Sequence, residues 1–187
     1  GEAEEYQELF QVRPTKTIDE VKHTDLIIVS AISGNLEEGI ASNQGFIPWI
    51  QEQRISQNAE LASLCKGAVL LAETGLLNGK SCSTHWTIHN QFTQRYPQVK
   101  LIAENVVTED NGIYSSGGAY SFLNFMVYLI ERYYGREIAI WCSKVAEVEY
   151  DRNLQSHFMI FNGQKEHADE EVKAAQAYIE EHVEGKL

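Results

Sequence analysis

The apolar residues of this chain fall into two alternating kinds of run. Residues 25–30 hold Leu26, Ile27, Ile28 and Val29 in an unbroken stretch of strand length. A continuous apolar run this short suits a central parallel strand covered on both faces. Residues 59–64 read the same way. Between them, residues 36–56 show helical spacing that places Phe46, Ile47, Trp49 and Ile50 on one face, with a break near Asn43-Gln44-Gly45. The alternation continues. Short strands are expected at 81–84 and 100–103, and helices at 86–96 and 136–148, with a long amphipathic helix running from Gly117-Gly118 to Gly135. Asn111-Gly112, between strands at 104–108 and 113–116, is a strong signal for a two-residue hairpin turn. A strand is expected at 6–12 and a short helix at 17–23, where Thr17 can cap. Strands alternating with helices imply βαβ units and a mostly parallel sheet.

The segment from 168 to 183 is helical again, with Val172, Ala175, Ile179 and Val183 on one stripe. No later residues supply that stripe with a partner, which points to a missing neighbour or a dimer. Residues 149–164 have little periodicity.

Composition narrows the classes. The 187 residues are 43% hydrophobic, enough for one ordinary core. No apolar run approaches the roughly 18–20 residues of a membrane span, and the acidic start at Gly1-Glu2-Ala3-Glu4-Glu5 is neither a signal nor a transit peptide. The expectation is a cytoplasmic protein with no membrane partner. Three cysteines do not make a disulfide framework. A net charge of −12 makes the chain a poor nucleic-acid binder by itself. Any DNA contact is therefore expected from a part outside this sequence.

The candidate chemistry centres on Cys65. It follows the strand at 59–64 and opens a helix expected to end at the glycine-bearing turn 75–79. Such a turn pushes the thiol out of the sheet edge, and the helix N-terminus favours a thiolate. Gly67 and Ala68 keep the turn small, and Lys66 adds a neighbouring positive charge. His85 stands at the end of the next expected strand, so both residues are placed on the carboxyl edge of the sheet, where ligands of open α/β sheets bind. That is the placement a Cys–His pair needs. Read on structure alone, Cys65 is a small buried apolar residue and His85 a packed histidine at a helix start. Cys82, His85 and His89 have plausible ligand spacing for zinc. However, strand alternation turns Cys82 away from His85 and no fourth ligand is evident, so neither metal nor cofactor is expected. The Ser115-Ser116-Gly117-Gly118 junction joins a strand to a helix and can present amides to an anion, or be a tight turn and no more.

The residues Ser63-Leu64-Cys65-Lys66-Gly67-Ala68, then Leu71 to Lys80, then Ser83-Thr84-His85-Trp86 resemble the ThiJ/PfpI branch of the class I glutamine amidotransferase-like superfamily. Gly112 to Gly118 fits the same pattern. The resemblance implies a flavodoxin-like three-layer α/β sandwich with a mostly parallel sheet and a cysteine-bearing strand–turn–helix elbow. Within the branch, Asp151 to Phe158, Phe161 to Val172 and Ala175 to Glu180 resemble the connector of AraC-type transcription regulators. On that basis residues 1–163 are an amidotransferase-like sensor domain whose first strand precedes Gly1. Residues 164–187 are a connector and first helix leading to an absent helix-turn-helix domain that would contact DNA. The acid that holds the thiol in the enzymes is expected before Gly1. The glycine-rich oxyanion turn is replaced by Ala31-Ile32-Ser33-Gly34-Asn35, and Lys66 replaces a small or uncharged residue.

The resemblance implies a ligand-sensing domain of an AraC-family regulator, a homodimer without turnover. Its pocket for an unidentified small-molecule effector would be lined by Cys65, His85, Ser33, Gly34, Lys66, Gly67, Ser116 and Gly117. The alternative is a cysteine-dependent hydrolase or hydratase (amidase, isocyanide hydratase or deglycase type) using Cys65 and His85. A third reading has Cys65 as an oxidation sensor, modified ahead of Cys82 and Cys142.

Overall fold

The computed structural model describes residues 13–118, 120–155 and 169–181. The strand expected at 6–12 and the connector residues 156–168 lie outside them. The chain divides into two compact units, Gly1–His157 and Phe158–Leu187.

The first unit is built on a four-stranded sheet. Strands β1 (Leu26–Val29), β2 (Glu60–Leu64), β5 (Val107–Asp110) and β6 (Ile113–Ser116) take the order β1-β2-β6-β5. β1 and β2 are parallel, with Ile27 opposite Leu61, and β2 and β6 are parallel, with Ser63 opposite Ser115. β5 and β6 pair antiparallel across Asn111-Gly112. Both turn residues have positive φ, 53° and 70°, as a type I′ turn demands.

Side-chain alternation along the strands divides the core in two. Leu61 and Ile113 join Ile27, Val29, Ile50, Leu71 and Phe92 on one face. Their sequence neighbours Ala62 and Tyr114 join Phe125 and Leu129 on the other. The first face is covered by helices α1 (Leu36–Asn43), α2 (Ile47–Gln57), α3 (Ala68–Glu73) and α4 (His89–Arg95), which supply Ile40, Ile50, Val69 and Phe92. The second is covered by α5 (Ser121–Tyr134), along which α6 (Arg136–Val145) packs. Helices on both faces of a mostly parallel sheet make the three layers of a flavodoxin-like α/β fold. Each fully buried leucine or phenylalanine contributes about 1.5–3 kcal/mol through burial.

Local structure refines the pattern in four places: the first and last depart from it, and the middle two follow it. The expected helix at 17–23 is a single 3-10 turn, Ile18–Glu20, held by the Thr17 N–H on the Glu20 carboxylate at 2.7 Å. The break near Asn43 is a 3-10 turn at Gln44–Phe46. Helix α3 stops at Glu73, because Gly75 and Gly79 both take positive φ and turn the chain. The expected strand at 81–84 is only β3 (Ser81–Cys82), and it pairs with β4 (Lys100–Leu101) in a separate two-stranded sheet. Side chains tie it to the main sheet: the Ser83 N–H donates to Ser115 Oγ at 2.8 Å and the Ser81 N–H to Asp110 Oδ2 at 3.0 Å.

The second unit contains α7 (Glu170–Glu181). The Asp169 carboxylate caps it, accepting from the Glu171 and Val172 amides at 3.1 and 3.2 Å. Val172 and Ile179 are exposed.

Candidate functional site

The elbow forms because β2 runs directly into a turn that has no room for a wider path. Cys65 has φ +56°, a left-handed conformation that costs a non-glycine residue about 1–3 kcal/mol. The surroundings hold it there. Ala68, Val69 and Leu71 just after the turn are fully buried. Gly67 lies so close to the end of β1 that a Cβ would stand 2.5 Å from both the Val29 and the Ser30 carbonyl oxygens. The glycine therefore lets the elbow press against β1, and the thiol of Cys65 is left half-buried at the carboxyl ends of the strands.

His85 follows β3. β3 pairs with β4 outside the main sheet, and β2 is flanked by β1 and β6, so His85 does not arrive at the main sheet's carboxyl edge from a strand of that sheet, as its place after the next expected strand implied. It is brought near the elbow by Thr84, whose hydroxyl donates to the Cys65 carbonyl at 2.9 Å. No hydrogen bond among the described residues joins Cys65 to His85. The imidazole is turned to its own chain. Nδ1 accepts from the Thr87 amide at 3.2 Å and lies 2.8 Å from the Thr87 hydroxyl. Assigned from these bonds, the neutral ring carries its proton on Nε2.

The electrostatics agree. Burial lowers the His85 pKa and the Lys66 and His89 charges lower it further, which keeps the ring neutral. Burial raises the Cys65 pKa, and the Lys66 amide and ammonium, which pull the other way, do not offset it. Among the described residues no carboxylate contributes to Cys65. A protonated thiol beside a neutral imidazole that already bears its proton on Nε2 is not an activated pair. What it offers is a set of donors: Nε2–H, the thiol and the Lys66 ammonium.

The residues of the zinc-like spacing turn to different partners. Cys82 is fully buried, its thiol pushed up to about 12 by burial, and it donates to the Ser83 carbonyl at 3.3 Å. His89 Nε2 lies 3.2 Å from the Thr84 carbonyl. Among the described residues no group of three or more His, Cys, Asp or Glu could hold a metal ion.

The remaining pocket candidates lie at two places. Ser33 lines a cavity of about 570 Å³ along the edge of β1, with Ile27, Ile28, Trp49 and Leu70. Gly34 has φ +74°, and Asn35 then caps α1 through the Glu38 amide at 2.9 Å. Ser116 is buried, with its Oγ unpartnered among the described residues. The junction after it does not present free amides. The Gly117 N–H donates to the Val106 carbonyl at 2.8 Å and the Gly118 N–H to Gln155 Oε1 at 3.0 Å. Gln155 carries no sequence signal, being one polar residue in an aperiodic stretch. Yet its carboxamide sits against the junction.

The model of the DJ-1/PfpI family matches residues 2–132. The HTH-type transcriptional regulator GbdR of Pseudomonas aeruginosa is 29% identical over 147 residues, 79% of this chain and 39% of that protein. The isonitrile hydratase of Pseudomonas putida is 26% identical over 130 residues, 69% of this chain and 54% of the enzyme. Among solved structures, Drosophila melanogaster DJ-1beta aligns with a TM-score of 0.62 at 19% identity, over 75% of this chain and 74% of that one. An AraC family transcriptional regulator from Pseudomonas putida aligns at 0.54 and 19%, over 73% and 70%. The chain spans about 30–40% of the length of the curated regulators it matches.

Proposed function

Because the chain belongs to the DJ-1/PfpI family, we propose that it is the ligand-sensing domain of an AraC-type transcription regulator, binding a small-molecule effector at the elbow without turning it over. The observation that carries this reading is the His85 ring. Its Nδ1 accepts from Thr87, so Nε2 already holds a proton and cannot take one from Cys65. The thiol, raised by burial, stays protonated at neutral pH. The same groups suit binding, since Nε2–H and Lys66 can donate to a carbonyl or carboxylate.

DNA contact is assigned to a helix-turn-helix domain beyond this chain, in keeping with the HTH-type regulators it resembles and with a net charge of −12. The regulator would act in the cytoplasm as a homodimer. Among the described residues no helix is long and apolar enough to cross a membrane.

The test uses the full-length gene product. Its binding to the promoter region beside its own gene is measured with and without a panel of small carboxylates and amides, for the native protein and for Cys65→Ser. The regulator reading expects sequence-specific binding that one compound shifts, and Cys65→Ser keeps that binding. A reading frame without helix-turn-helix motifs past Leu187 overturns it. Turnover of an amide or isocyanide that Cys65→Ser abolishes establishes the hydrolase or hydratase alternative instead.

A further inference from the structure

Gln155 is only 1% exposed. A buried carboxamide is costly unless its hydrogen-bonding positions are met, and here both ends are. Oε1 accepts from the Gly118 amide at 3.0 Å. Nε2 faces the carbonyls of Ala103 at 2.8 Å, Thr84 at 3.2 Å and Asn105 at 3.2 Å. The backbone around it is fastened too. The Gln155 N–H donates to the Glu104 carbonyl at 2.7 Å and the Val106 N–H to the Asn153 carbonyl at 2.9 Å, while Leu154 bridges Asn105. Residues 153–155 thus form a strap along 104–106, and the Gln155 side chain passes beneath the β6–α5 junction. A Cβ on Gly117 would stand 2.4–2.7 Å from three atoms of that carboxamide. Glycine at 117 is the space the peg needs.

The peg meets the site at two points, one on the elbow and one beside His85. Thr84, whose carbonyl it holds, gives its hydroxyl to the Cys65 carbonyl. Gly118, whose amide it holds, lies beside the His85 ring: a Cβ there would be 3.8–3.9 Å from it. We infer that Gln155 is a positioning residue that couples the elbow to the strap at residues 153–155. One carboxamide fixes Thr84 and Gly118 on the site and seats 153–155 on the body. An occupant that displaces either residue weakens the strap, and a displaced strap loosens the elbow by the same free energy. The use of this coupling as a signal rests on the regulator reading; the coupling itself does not.

The experiment compares cysteine modification by N-ethylmaleimide in the full chain, read at each cysteine by peptide mass spectrometry. Gln155→Glu keeps the size of the side chain but turns acceptors toward three carbonyls. The expected result is a Cys65 rate raised about tenfold, within the usual span of coupling between sites, with Cys142 unchanged and buried Cys82 still unmodified. A Cys65 rate within twofold of native overturns the inference. So does a joint rise at all three cysteines, which marks general unfolding. Gly117→Ala approaches the peg from the other side and needs no change at Gln155. It should raise the Cys65 rate in the native background and add nothing in Gln155→Ala, where the space is already free. Equal effects in both backgrounds overturn the coupling. Neither DNA nor effector enters the measurement, so its failure leaves the regulator reading standing, and a negative promoter experiment leaves the coupling standing.

Discussion

Gly67→Ala is the sharpest probe of how the elbow is held. Carbon atoms rest at about 3.5 Å or more from their neighbours, whereas the new methyl would meet the Val29 and Ser30 carbonyl oxygens at 2.5 Å. Both are backbone atoms, at and just beyond the end of a strand paired with β2, so neither can swing aside as a side-chain tip would. The elbow or the end of β1 must shift by about 1 Å, and the shift propagates into Ala68, Val69 and Leu71, which are fully buried. Overpacking of this kind costs about 1–3 kcal/mol. With disturbance of the adjoining core, about 3 kcal/mol is expected in all. For a chain of this length that lowers the melting temperature by about 6–12 °C. Urea denaturation gives the free energy directly, with an unchanged m-value if the variant still folds as one unit. Gly45→Ala is the control. Nothing lies within 4 Å of its Cβ position, and it should be neutral or slightly stabilising through the unfolded chain. A Gly67→Ala variant within about 0.5 kcal/mol of native, the range of a surface substitution, would refute the close packing of elbow on β1.

The thiol of Cys65 is raised by burial, so its thiolate forms only as pH climbs past the usual range near 8.5. Its alkylation rate should rise steadily through neutral pH, and a plateau reached by pH 7 would contradict the assignment. Glu60 titrates low: burial alone would raise it, but hydrogen bonds from Tyr133, Tyr114 and Arg132 outweigh that. A lowered carboxyl adds stability above its unfolded pKa and loses it as pH falls through the folded one. Tyr114→Phe removes one donor, 2.8 Å from Glu60 Oε1. It should cost about 2 kcal/mol at pH 7 by chemical denaturation, with the gap from native narrowing below about pH 4; a gap independent of pH would count against the pairing. Leu61→Ala, at a fully buried β2 position, should cost about 2–5 kcal/mol by the same assay, and a loss under about 1 kcal/mol, the range of a well-tolerated core swap, would place Leu61 outside the core.

What the sequence carried well was short-range and strongly patterned. The apolar run at 59–64 became β2, flanked by β1 and β6, because a strand covered on both faces needs no polar alternation. The run at 25–30 also became a strand, but β1 lies at the edge of the described sheet with Ile28 40% exposed, so the central position expected of it is not the one it takes. Asn111-Gly112 became a hairpin because both residues tolerate positive φ. What it carried poorly depended on partners far along the chain. β3 reads as a member of the main sheet, yet only two residues pair, with β4. Its tie to the sheet is made by Ser115 and Asp110 side chains, which no local pattern announces. Gln155 is the extreme case: its four contacts come from residues 37–71 positions away.

The Cys65–His85 pair shows why proximity read from sequence does not give chemistry. The sequence placed both residues at the carboxyl ends of the strands, and Thr84 does link their backbones. Whether they form a catalytic pair depends on which ring nitrogen carries the proton. That is decided by Thr87, two residues on, whose amide takes Nδ1. A threonine after Trp86 is unremarkable as a letter, yet through one 3.2 Å bond it sets the tautomer and with it the role of the histidine. Replacing Thr87 by proline would remove that amide. If the ring then inverts its tautomer, Nε2 becomes an acceptor and Cys65 gains a base. The expected signature is a Cys65 alkylation rate that levels off at lower pH than in the native chain. An unchanged profile, in a variant that keeps its fold by circular dichroism, would show that burial, and not the tautomer, holds the thiol inert.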